Sequence, residues 1–424
     1  MILTTLLKCA NSATENQLTS IKHGVMNINF QRKVDRYIGA FICRILSLFS
    51  RLLKPGPAPG QAPNVLVILL SEMGSLVLAY PMFERIKEKY PGAALYALVF
   101  DKNKEVLELL DVMPPEHILT INDRSLLSFV RDCFRVVIQL RKLKFEVVID
   151  CELFARISSI FSFLSGAAIR VGFHPHTQEG LYRGNFINRP VLYNPYRHMS
   201  HQFLTLAAAI DSDSIPRAKL SENASYLKTP LIHFEPDEIQ RMQQTLYGRF
   251  DGIQNKKLVL IYPGGGLLPI RAWPRDYYAE VASQLLQKQY AVAIIGLGED
   301  KPLAREIIMQ CNSTACIDLT GYTKSVRELM LIFHFAQLLI TNDGGPGQFA
   351  AMTPIPSIIF YGPETPKLYG PEDEKASILY DPLPCSPCLT AYNHRNSPCD
   401  GDNLCLKRID PDRVLAKAFE ILEG

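Results

Sequence analysis

The chain has 424 residues, which is more than one hydrophobic core usually organises and therefore favours two domains. Hydrophobic residues make up 47% and charged residues 21%, the balance of an ordinary globular protein. The net charge of +3 excludes binding of nucleic acid through the overall charge of the chain, so any basic surface must be local.

The first 63 residues precede the globular body. Residues 1–25 are polar and lack the apolar core and cleavage site of a signal peptide, which predicts a loose tail on a cytoplasmic protein. Residues 34–54 have the pattern of a basic amphipathic helix, in which Arg44 interrupts the apolar run and argues against a membrane-spanning helix. This helix is expected either to lie in the surface of a membrane, on the inner face of the cytoplasmic membrane, or to pack on the protein itself. Residues 55–63, PGPAPGQAP, predict a linker.

Apolar strands alternate with helical segments from residue 64 onwards. This rhythm predicts parallel sheets with helices on both faces, in an acceptor-side domain over 64–255 and a nucleotide-binding domain over 256–424. Ligands in such sheets bind at the carboxyl ends of the strands, so the site is expected in a cleft between two Rossmann-like domains. Eight strands are predicted: 64–70, 94–100, 145–151, 168–173, 257–263, 290–296, 338–343 and 357–362.

A glycine turn follows the strand at 257–263. Gly264, Gly265 and Gly266 have no Cβ, so the backbone of this turn can approach a phosphate closely. Arg271, a few residues further on, can pair with phosphate oxygens. A flexible turn without a ligand is the alternative for this segment alone.

A second loop of this kind follows the strand at 338–343. It begins at Asp343 and continues through Gly344, Gly345, Pro346 and Gly347 into a helix, whose free N–H groups and dipole favour a diphosphate. Asp343 would repel that diphosphate, so we expect its carboxylate to order the loop or to contact a sugar hydroxyl or a cation. Two such loops in one domain indicate a nucleotide-sugar site.

Two further turns of the second domain carry candidate nucleoside contacts. Thr320 and Gly321 lie between a strand and a helix, where contacts to a base or ribose are common. Glu299 or Asp300 follows another strand and can accept hydrogen bonds from ribose hydroxyls. A solvated turn carboxylate is the alternative for either acid.

The first domain offers a carboxylate at the tip of its first strand. Glu72 can remove a proton from an acceptor hydroxyl, although a helix-start carboxylate that stabilises the dipole is the alternative. Gly74 and Ser75 follow in the same turn. His174 and Arg183 are candidate contacts to an acceptor phosphate or carboxylate, with a surface or capping role as the alternative.

Four cysteines lie together in the turn-rich segment 385–405. Their spacing is C-x2-C, then ten residues, a third cysteine, five residues and a fourth, and the set is Cys385, Cys388, Cys399 and Cys405. A structural zinc, free or redox-active thiols and disulfides all remain open. A catalytic zinc is not expected, because four sulfur ligands leave no open coordination position.

Three stretches of the chain resemble glycosyltransferase family 9, the bacterial heptosyltransferases of lipopolysaccharide core synthesis. They are NVLVILLSEMGSLVLAYPMFERIKEKYPGA, PGGGLLPIRAWPRDYYAEVASQL and DLTGYTKSVRELMLIFHFAQLLITNDGGPGQFAAMTPIPSIIFYGP, within a resemblance over about 64–410. The resemblance implies a GT-B fold and metal-independent, inverting transfer. The donor it implies is typically ADP-heptose, and the acceptor is a lipid-anchored sugar.

Individual positions match the family pattern or depart from it. Arg271 stands where the family usually has a lysine that contacts the donor phosphates, and 343–347 matches the donor-diphosphate loop. The family's first turn usually ends in Gly-Asp, with the aspartate as the base, whereas this chain has Gly74-Ser75. Gln348 replaces the usual histidine.

Three functions follow from these observations. The first is an inverting glycosyltransferase in which Glu72 acts as the base, with a nucleotide-sugar donor and a lipid-linked or lipopolysaccharide-core acceptor. The missing aspartate motivates the second, a catalytically inactive family member that serves as a membrane scaffold or sugar-nucleotide-binding module. The third is a sugar-nucleotide epimerase, which can share the two-domain fold. None of them requires a catalytic cofactor.

Overall fold

The computed structural model describes residues 33–50, 60–70, 72–174, 182–212, 219, 229–266, 268–391 and 396–424. It contains two six-stranded sheets, one in each half of the chain, and every strand pair is parallel. The two parallel α/β domains predicted from the sequence are confirmed. The predicted tail, 1–25, and most of the predicted linker lie outside the described residues.

The N-terminal sheet has the strand order β3-β2-β1-β4-β5-β6, in which the chain reverses direction across the sheet between β1 and β4. This is the Rossmann order, and it places the crevice for a ligand at the carboxyl ends of the central strands. The strands are β1 (Asn64–Ile68), β2 (Ala94–Phe100), β3 (Ile118–Ile121), β4 (Val147–Asp150), β5 (Ile169–Phe173) and β6 (Arg189–Val191).

Helices cover both faces of this sheet, so its strands are apolar on both sides. Val65 and Val67 of β1 face one core, and Leu66 and Ile68 face the other. The helices of the first half are α1 (Ala40–Ser50), α2 (Met73–Leu78), α3 (Tyr80–Lys89), α4 (Lys104–Leu110), α5 (Leu126–Leu143), α6 (Arg156–Leu164) and α7 (Met199–Ala208).

The N-terminal helix α1 packs on α6 through one narrow face. Asp35, in the π-helical turn before α1, accepts hydrogen bonds from the N–H groups of Arg156 (2.9 Å) and Ile157 (3.1 Å), and so caps the start of α6. Cys43 and Ser47 are buried against the protein. Packing on the protein, one of the two expectations for this helix, therefore holds for this face.

The C-terminal sheet repeats the same strand order, β12-β11-β10-β7-β8-β9. Its central strands are almost entirely buried, which explains their continuous apolar sequences. The strands are β7 (Leu258–Tyr262), β8 (Ala291–Gly296), β9 (Cys316–Thr320), β10 (Leu338–Asn342), β11 (Ser357–Tyr361) and β12 (Ala376–Tyr380).

The helices of the second half surround this sheet. Trp273 is the chain's one tryptophan, and it lies in the core with Tyr278 and Phe360, where its indole N–H donates to the Ile409 carbonyl at 2.8 Å. The helices are α8 (Pro236–Arg249), α9 (Arg275–Gln287), α10 (Lys301–Cys311), α11 (Val326–Phe333), α12 (Gly345–Ala351), α13 (Pro366–Tyr369), α14 (Leu404–Lys407) and α15 (Pro411–Glu423).

The chain joins the C-terminal domain earlier than residue 255. The N–H of Ile232 donates to the Met352 carbonyl at 2.8 Å, and His334 bonds to the Ile232 carbonyl at 3.1 Å. Helix α8 packs against α11 of the second domain. We therefore propose a boundary between 212 and 229, before the division at 255 that the sequence suggested.

Polar contacts hold the two domains together at the sides of the cleft. The carboxylate of Glu105 on α4 accepts hydrogen bonds from the backbone N–H groups of Val326 and Arg327, both at 2.9 Å, at the start of α11. On another side, His198 at the start of α7 bonds to the Gly370 carbonyl at 2.9 Å. The carboxylate and the imidazole each satisfy backbone groups of the opposite domain.

Candidate active site

The glycine turn after β7 is shaped by close contacts. A Cβ on Gly264 would lie 2.8 Å from a carboxylate oxygen of Asp300 and 2.9 Å from the Tyr262 hydroxyl. A Cβ on Gly265 would lie 2.7 Å from the backbone of the following turn, and Gly266 has φ of +58°. A side chain at Gly264 or Gly265 would therefore crowd its neighbours, and the left-handed backbone of Gly266 favours glycine.

The glycine loop after β10 has free space around its first two glycines, in contrast to the crowded glycine turn after β7. Within the described part of the chain, the nearest contact of a Cβ on Gly344 or Gly345 would be 3.5 Å away, whereas a Cβ on Gly347 would lie 3.0 Å from the Ile359 side chain of β11. Among the described residues, no side chain caps the start of α12, which has Pro346 in its first turn. The loop thus leaves space beside backbone N–H groups that have no partner within the helix, as anion binding requires.

Asn342 joins these two loops, and sequence reasoning did not identify it. The side chain is completely buried, and its amide group donates to the carbonyls of Pro263 (3.2 Å) and Gly264 (2.9 Å). Its side-chain oxygen accepts hydrogen bonds from the backbone N–H of Trp273 (2.9 Å) and from the Tyr278 hydroxyl (2.8 Å). One amide thus fixes both the glycine turn and the approach to α9. The available signal was a polar residue at the end of the buried strand LLIT.

Arg271 reaches across from the first loop to the second. Its guanidinium donates to Glu364 at 3.0 Å and lies 3.5 Å from a carboxylate oxygen of Asp343, and all three side chains are largely buried. Two carboxylates therefore hold one guanidinium in place beside the open loop. The ordering role expected for Asp343 agrees with this contact, and Glu364 is a partner that the sequence did not indicate.

The turns after β8 and β9 complete this edge of the sheet. The N–H of Gly321, where φ is +67°, donates to the Gly296 carbonyl at 2.9 Å. Thr320 is buried, and its hydroxyl donates to Asp318 at 2.5 Å. Glu299 is exposed. These turns lie beside the glycine turn, as a nucleoside site next to a diphosphate site would require.

Asp300, not Glu299, is the acid in contact with the glycine turn. Its carboxylate accepts the Leu297 N–H at 2.8 Å and lies against Gly264. Burial and the negative charge of Asp300 raise the pKa of Tyr262 to about 12, so this phenol stays protonated in the physiological range.

Glu72 occupies the N-cap position of α2, at the carboxyl end of β1. Ser75 donates to its carboxylate from the hydroxyl (3.3 Å) and to its carbonyl from the backbone (3.1 Å). Gly74 lies against the second domain, because a Cβ there would be 3.1 Å from the Gln348 side chain. The structure thus brings the α2 turn directly against α12, at the start of which the second glycine loop lies.

Gln348, the position at which the family usually has histidine, is buried between the domains. Its amide group donates to the Tyr369 carbonyl at 2.6 Å. The side chain therefore shapes the contact with α2 and carries no charge toward the loop.

His174 and Arg183 differ in their surroundings. Arg183 is 1% exposed, and its guanidinium pairs with Asp150 and donates to Ser158 at 2.8 Å. These contacts hold the β4–α6 connection, which differs from the direct acceptor contact expected for Arg183. His174 is partly buried at the end of β5, and burial together with the Arg183 charge lowers its pKa.

The cysteine segment lies beside the loop after β11. Burial raises the pKa of Cys405, whose sulfur would be 3.0 Å from a Cβ on Gly362. Cys388 accepts a hydrogen bond from Ser397 at 3.1 Å, while Cys385 and Cys399 are exposed. In the part of the chain that the structure describes, which omits 392–395, no group of three or more potential ligands is arranged to hold a metal ion.

No helix within the described ranges is both long and apolar enough to cross a bilayer. The longest described helix of the N-terminal half, α5, contains 18 residues, but four of them are basic and one is acidic.

Comparison with known proteins places this cleft in a family. The sequence profile of glycosyltransferase family 9 (heptosyltransferase) matches residues 133–397. Lipopolysaccharide heptosyltransferase 2 of Salmonella typhimurium is 22% identical over 371 residues, which cover 85% of this chain and 98% of that protein. Lipooligosaccharide heptosyltransferase 2 of Haemophilus ducreyi is 22% identical over 321 residues, which cover 74% and 88%.

A solved structure agrees with the sequence comparison. The Escherichia coli ADP-heptose lipopolysaccharide heptosyltransferase II matches with a TM-score of 0.65 and 19% identity, over 85% of this chain and 98% of its own. The GT-B fold expected from the sequence is thereby confirmed. With a family profile over most of its length and this fold, the chain belongs to glycosyltransferase family 9 and is a glycosyltransferase.

Proposed function

We propose that this protein transfers heptose from ADP-heptose, with inversion, to a lipid-linked acceptor of lipopolysaccharide core synthesis. The observation that carries the proposal is the pair of connected loops in the C-terminal domain, which Arg271 and Asn342 join beside an open helix start. This arrangement suits the diphosphate of a nucleotide sugar. The ADP-heptose named for the E. coli neighbour supports the choice of donor.

The reaction follows from the groups on the two sides of the cleft. Glu72 removes the proton from an acceptor hydroxyl, and the freed electron pair of that oxygen forms the new bond to the anomeric carbon. The bond from that carbon to the diphosphate oxygen breaks, and ADP leaves with its electron pair. Arg271 and the backbone N–H groups at the start of α12 stabilise the charge that develops on the departing diphosphate.

The nucleoside would lie along the neighbouring turns. Thr320 and Gly321 stand beside the glycine turn, where they can contact the base or ribose. Glu299 is exposed and available to ribose hydroxyls, while Asp300 is already engaged by the Leu297 N–H. On the acceptor side, His174 is the better placed of the two proposed contacts, because Arg183 is paired inside the domain.

A direct assay tests this function. ADP-, UDP- and GDP-sugars are screened by thermal shift, and turnover is then measured with a heptose-deficient core acceptor. Selective stabilisation by ADP-heptose and release of ADP that depends on the acceptor are expected, since a ligand that binds the folded state raises its stability. Absence of both binding and turnover with every nucleotide sugar would refute the proposal. Conversion of the donor without acceptor would indicate an epimerase instead.

A non-catalytic role is the second candidate, because Ser75 stands where the family usually has its aspartate. In that case, the protein would bind the nucleotide sugar and organise a membrane assembly. Binding of ADP-heptose without any turnover, with the intact lipid acceptor present, would favour this role over catalysis.

The protein is proposed to work at the inner face of the cytoplasmic membrane, through residues 34–54. The described part of this segment exposes six large apolar side chains on the face that does not touch α6: Tyr37, Ile38, Phe41, Ile45, Leu48 and Phe49. An apolar face with flanking basic residues suits the membrane interface.

A structural zinc in the cysteine segment 385–405 also stays a proposal. The described thiols do not form a metal-binding group, so zinc would require this segment to rearrange around it. Elemental analysis of protein purified without chelator is expected to give one zinc per chain. An absence of zinc would remove the proposal and leave free thiols or disulfides.

A further inference from the structure

Exposed apolar side chains are concentrated on two helices of the N-terminal domain. Among the described residues, 17 large hydrophobic side chains are exposed, and 11 of them lie on the α1 segment or on α5. Scattered single residues of this kind are normal, but a group of them marks a surface that binds something. The α5 members, which the proposed function does not use, are Leu126, Leu127, Val130, Phe134 and Ile138.

Helix α5 has two apolar faces, and the core needs only one of them. Val136 and Leu140 are fully buried against the sheet. Leu127, Phe134 and Ile138 are spaced by seven and four residues, so they share the opposite face, and they are 81%, 70% and 56% exposed. Because folding does not account for this second stripe, it indicates a binding surface.

The charge of α5 identifies the occupant. The helix contains four basic residues, Arg131, Arg135, Arg141 and Lys142, and one acidic residue, the buried Asp132. This one helix therefore carries as much net positive charge as the whole chain. Apolar side chains among basic ones match the interface of a bilayer with anionic lipids. A second copy of the same surface would instead bring like charges together across a two-fold axis.

The position of α5 relates this surface to the acceptor side of the cleft. Helix α5 begins at Leu126, shortly after β3 ends at Ile121, and therefore starts at the carboxyl edge of the sheet. Asp35 caps the start of α6, which follows β4 at the same edge. Glu72 follows β1 there as well. The first turn of α5 and the residues just before α1 thus lie at the edge that carries the proposed base.

Helix α6 lies between the two exposed faces. Its Phe161 packs in the core shared with α5, and its neighbour Ile160 packs with Cys43 of α1. The apolar faces of α1 and α5 therefore flank one helix and belong to one side of the domain.

We propose that the outer face of α5 is a second membrane-binding surface, which acts together with α1 on a bilayer that contains anionic lipids. This inference rests on the proposed function, because a lipid-anchored acceptor would then reach Glu72 while its lipid stays in the bilayer. Two separated contacts also fix the orientation of the domain on the membrane, which one helix alone does not.

Flotation of the full-length protein with vesicles tests the proposal. The vesicles are made of phosphatidylcholine, with or without phosphatidylglycerol, and the test variant is L127S/F134S. The variant is expected to bind anionic vesicles at least about tenfold more weakly than the unmodified chain, since it removes two apolar side chains from the interface. R141Q/K142Q is expected to weaken binding to anionic vesicles and to leave the weak binding to neutral ones unchanged.

Matched controls separate this surface from its neighbours. M309S changes a side chain that is 77% exposed on α10 of the other domain, and it is expected to bind vesicles like the unmodified chain. F41S/L48S alters the α1 face, and it is expected to weaken binding to a similar extent as the α5 variant. Unchanged melting temperatures are expected for all variants, because every altered side chain is exposed.

Several outcomes would overturn the proposal: vesicle binding by L127S/F134S equal to that of the unmodified chain, no binding by the unmodified chain, or loss of self-association in the α5 variant without vesicles. The last would assign the surface to contacts between copies. Transfer to a deacylated, water-soluble acceptor is measured in parallel. Failure of that transfer in the unmodified chain would count against the proposed function, whereas failure of vesicle binding alone would count against this surface.

Discussion

The two sides of the cleft are built in different ways. On the side proposed to bind the donor, buried polar groups join the loops to each other, with Asn342 and the Arg271 pairs at the centre. On the side proposed to bind the acceptor, Glu72 is half-buried and accepts hydrogen bonds from the nearby Ser75, and the surrounding helices expose apolar surface. A site whose groups are already held in place loses less conformational freedom when a soluble ligand binds, whereas a membrane-bound acceptor can be positioned by the membrane itself.

The sharpest test of this contrast is removal of the proposed base. E72Q keeps the shape of the side chain but cannot accept a proton, so kcat is expected to fall by roughly 10²- to 10⁴-fold. Donor affinity, measured by calorimetry with ADP-heptose, should stay the same, since Glu72 lies in the other domain. S75A is the matched control and should retain most of the activity. An equal loss in S75A would transfer the main role to the serine.

The next effect concerns the donor side. R271A removes the guanidinium that faces the open loop, and donor affinity is expected to fall by about 10- to 100-fold, the usual range for a lost charged hydrogen bond. R271K should recover part of this affinity, as a point charge without the planar fork. Arg275 is exposed and paired with Asp276 and Glu306, so R275A is the control and should bind donor normally. Equal losses in R271A and R275A would contradict the assignment.

A third test concerns Asn342, which joins the two glycine loops. N342A leaves the backbone N–H of Trp273 and the Tyr278 hydroxyl without the buried oxygen that accepts their hydrogen bonds. This loss should cost at least about 2 kcal/mol of folding free energy. For a domain of this size, the melting temperature should fall by roughly 4–8 °C. N342D keeps an oxygen that accepts the hydrogen bonds from Trp273 and Tyr278 but loses the N–H that donates to the glycine turn. Its stability should therefore lie between those of N342A and the unmodified chain. An unchanged melting temperature in N342A would show that the junction is dispensable.

The smallest effect is a pH dependence at the domain interface. Burial lowers the pKa of His198 below its ordinary value of 6.5, so the folded protein binds this proton more weakly than the unfolded chain. Stability should therefore decrease as the pH falls below about 6.5 and level off at the folded-state pKa. The facing groups are Glu372, which opposes this shift, and His201. Thermal melts of H198Q should show a smaller dependence over this window. A curve identical to that of the unmodified chain would place the effect on another group.

The sequence predicted the centre of each sheet better than its edges. All eight strands that it predicted exist, and they are the inner strands of the two sheets. Three edge strands, β3, β6 and β12, were not assigned, and β9 was located only through the loop that follows it. Edge strands are covered less completely, and they are shorter or more polar, as RPV and ASILY illustrate. They therefore lack the continuous apolar run that marks a buried strand.

The residues of the candidate site also differ in how well the sequence predicted them. Glycines and the cationic residue next to them are visible in a sequence because they are adjacent in the chain. Asn342 and Glu364 act over 78 and 93 residues, on Gly264 and Arg271, and a single sequence contains no local sign of such pairs. The same reason explains Arg183, whose charge suggested a ligand but whose partner, Asp150, lies on a distant strand.

The contact between Gly74 and Gln348 constrains which residues related proteins can have at these two positions. A Cβ on Gly74 would lie 3.1 Å from the Gln348 side chain, so the absence of a side chain at position 74 allows the close approach of α2 to α12. A large side chain at position 74 is expected to push α2 and α12 apart, unless position 348 becomes smaller at the same time. The two positions should therefore change as a pair, and their combined volume should measure how far the cleft closes.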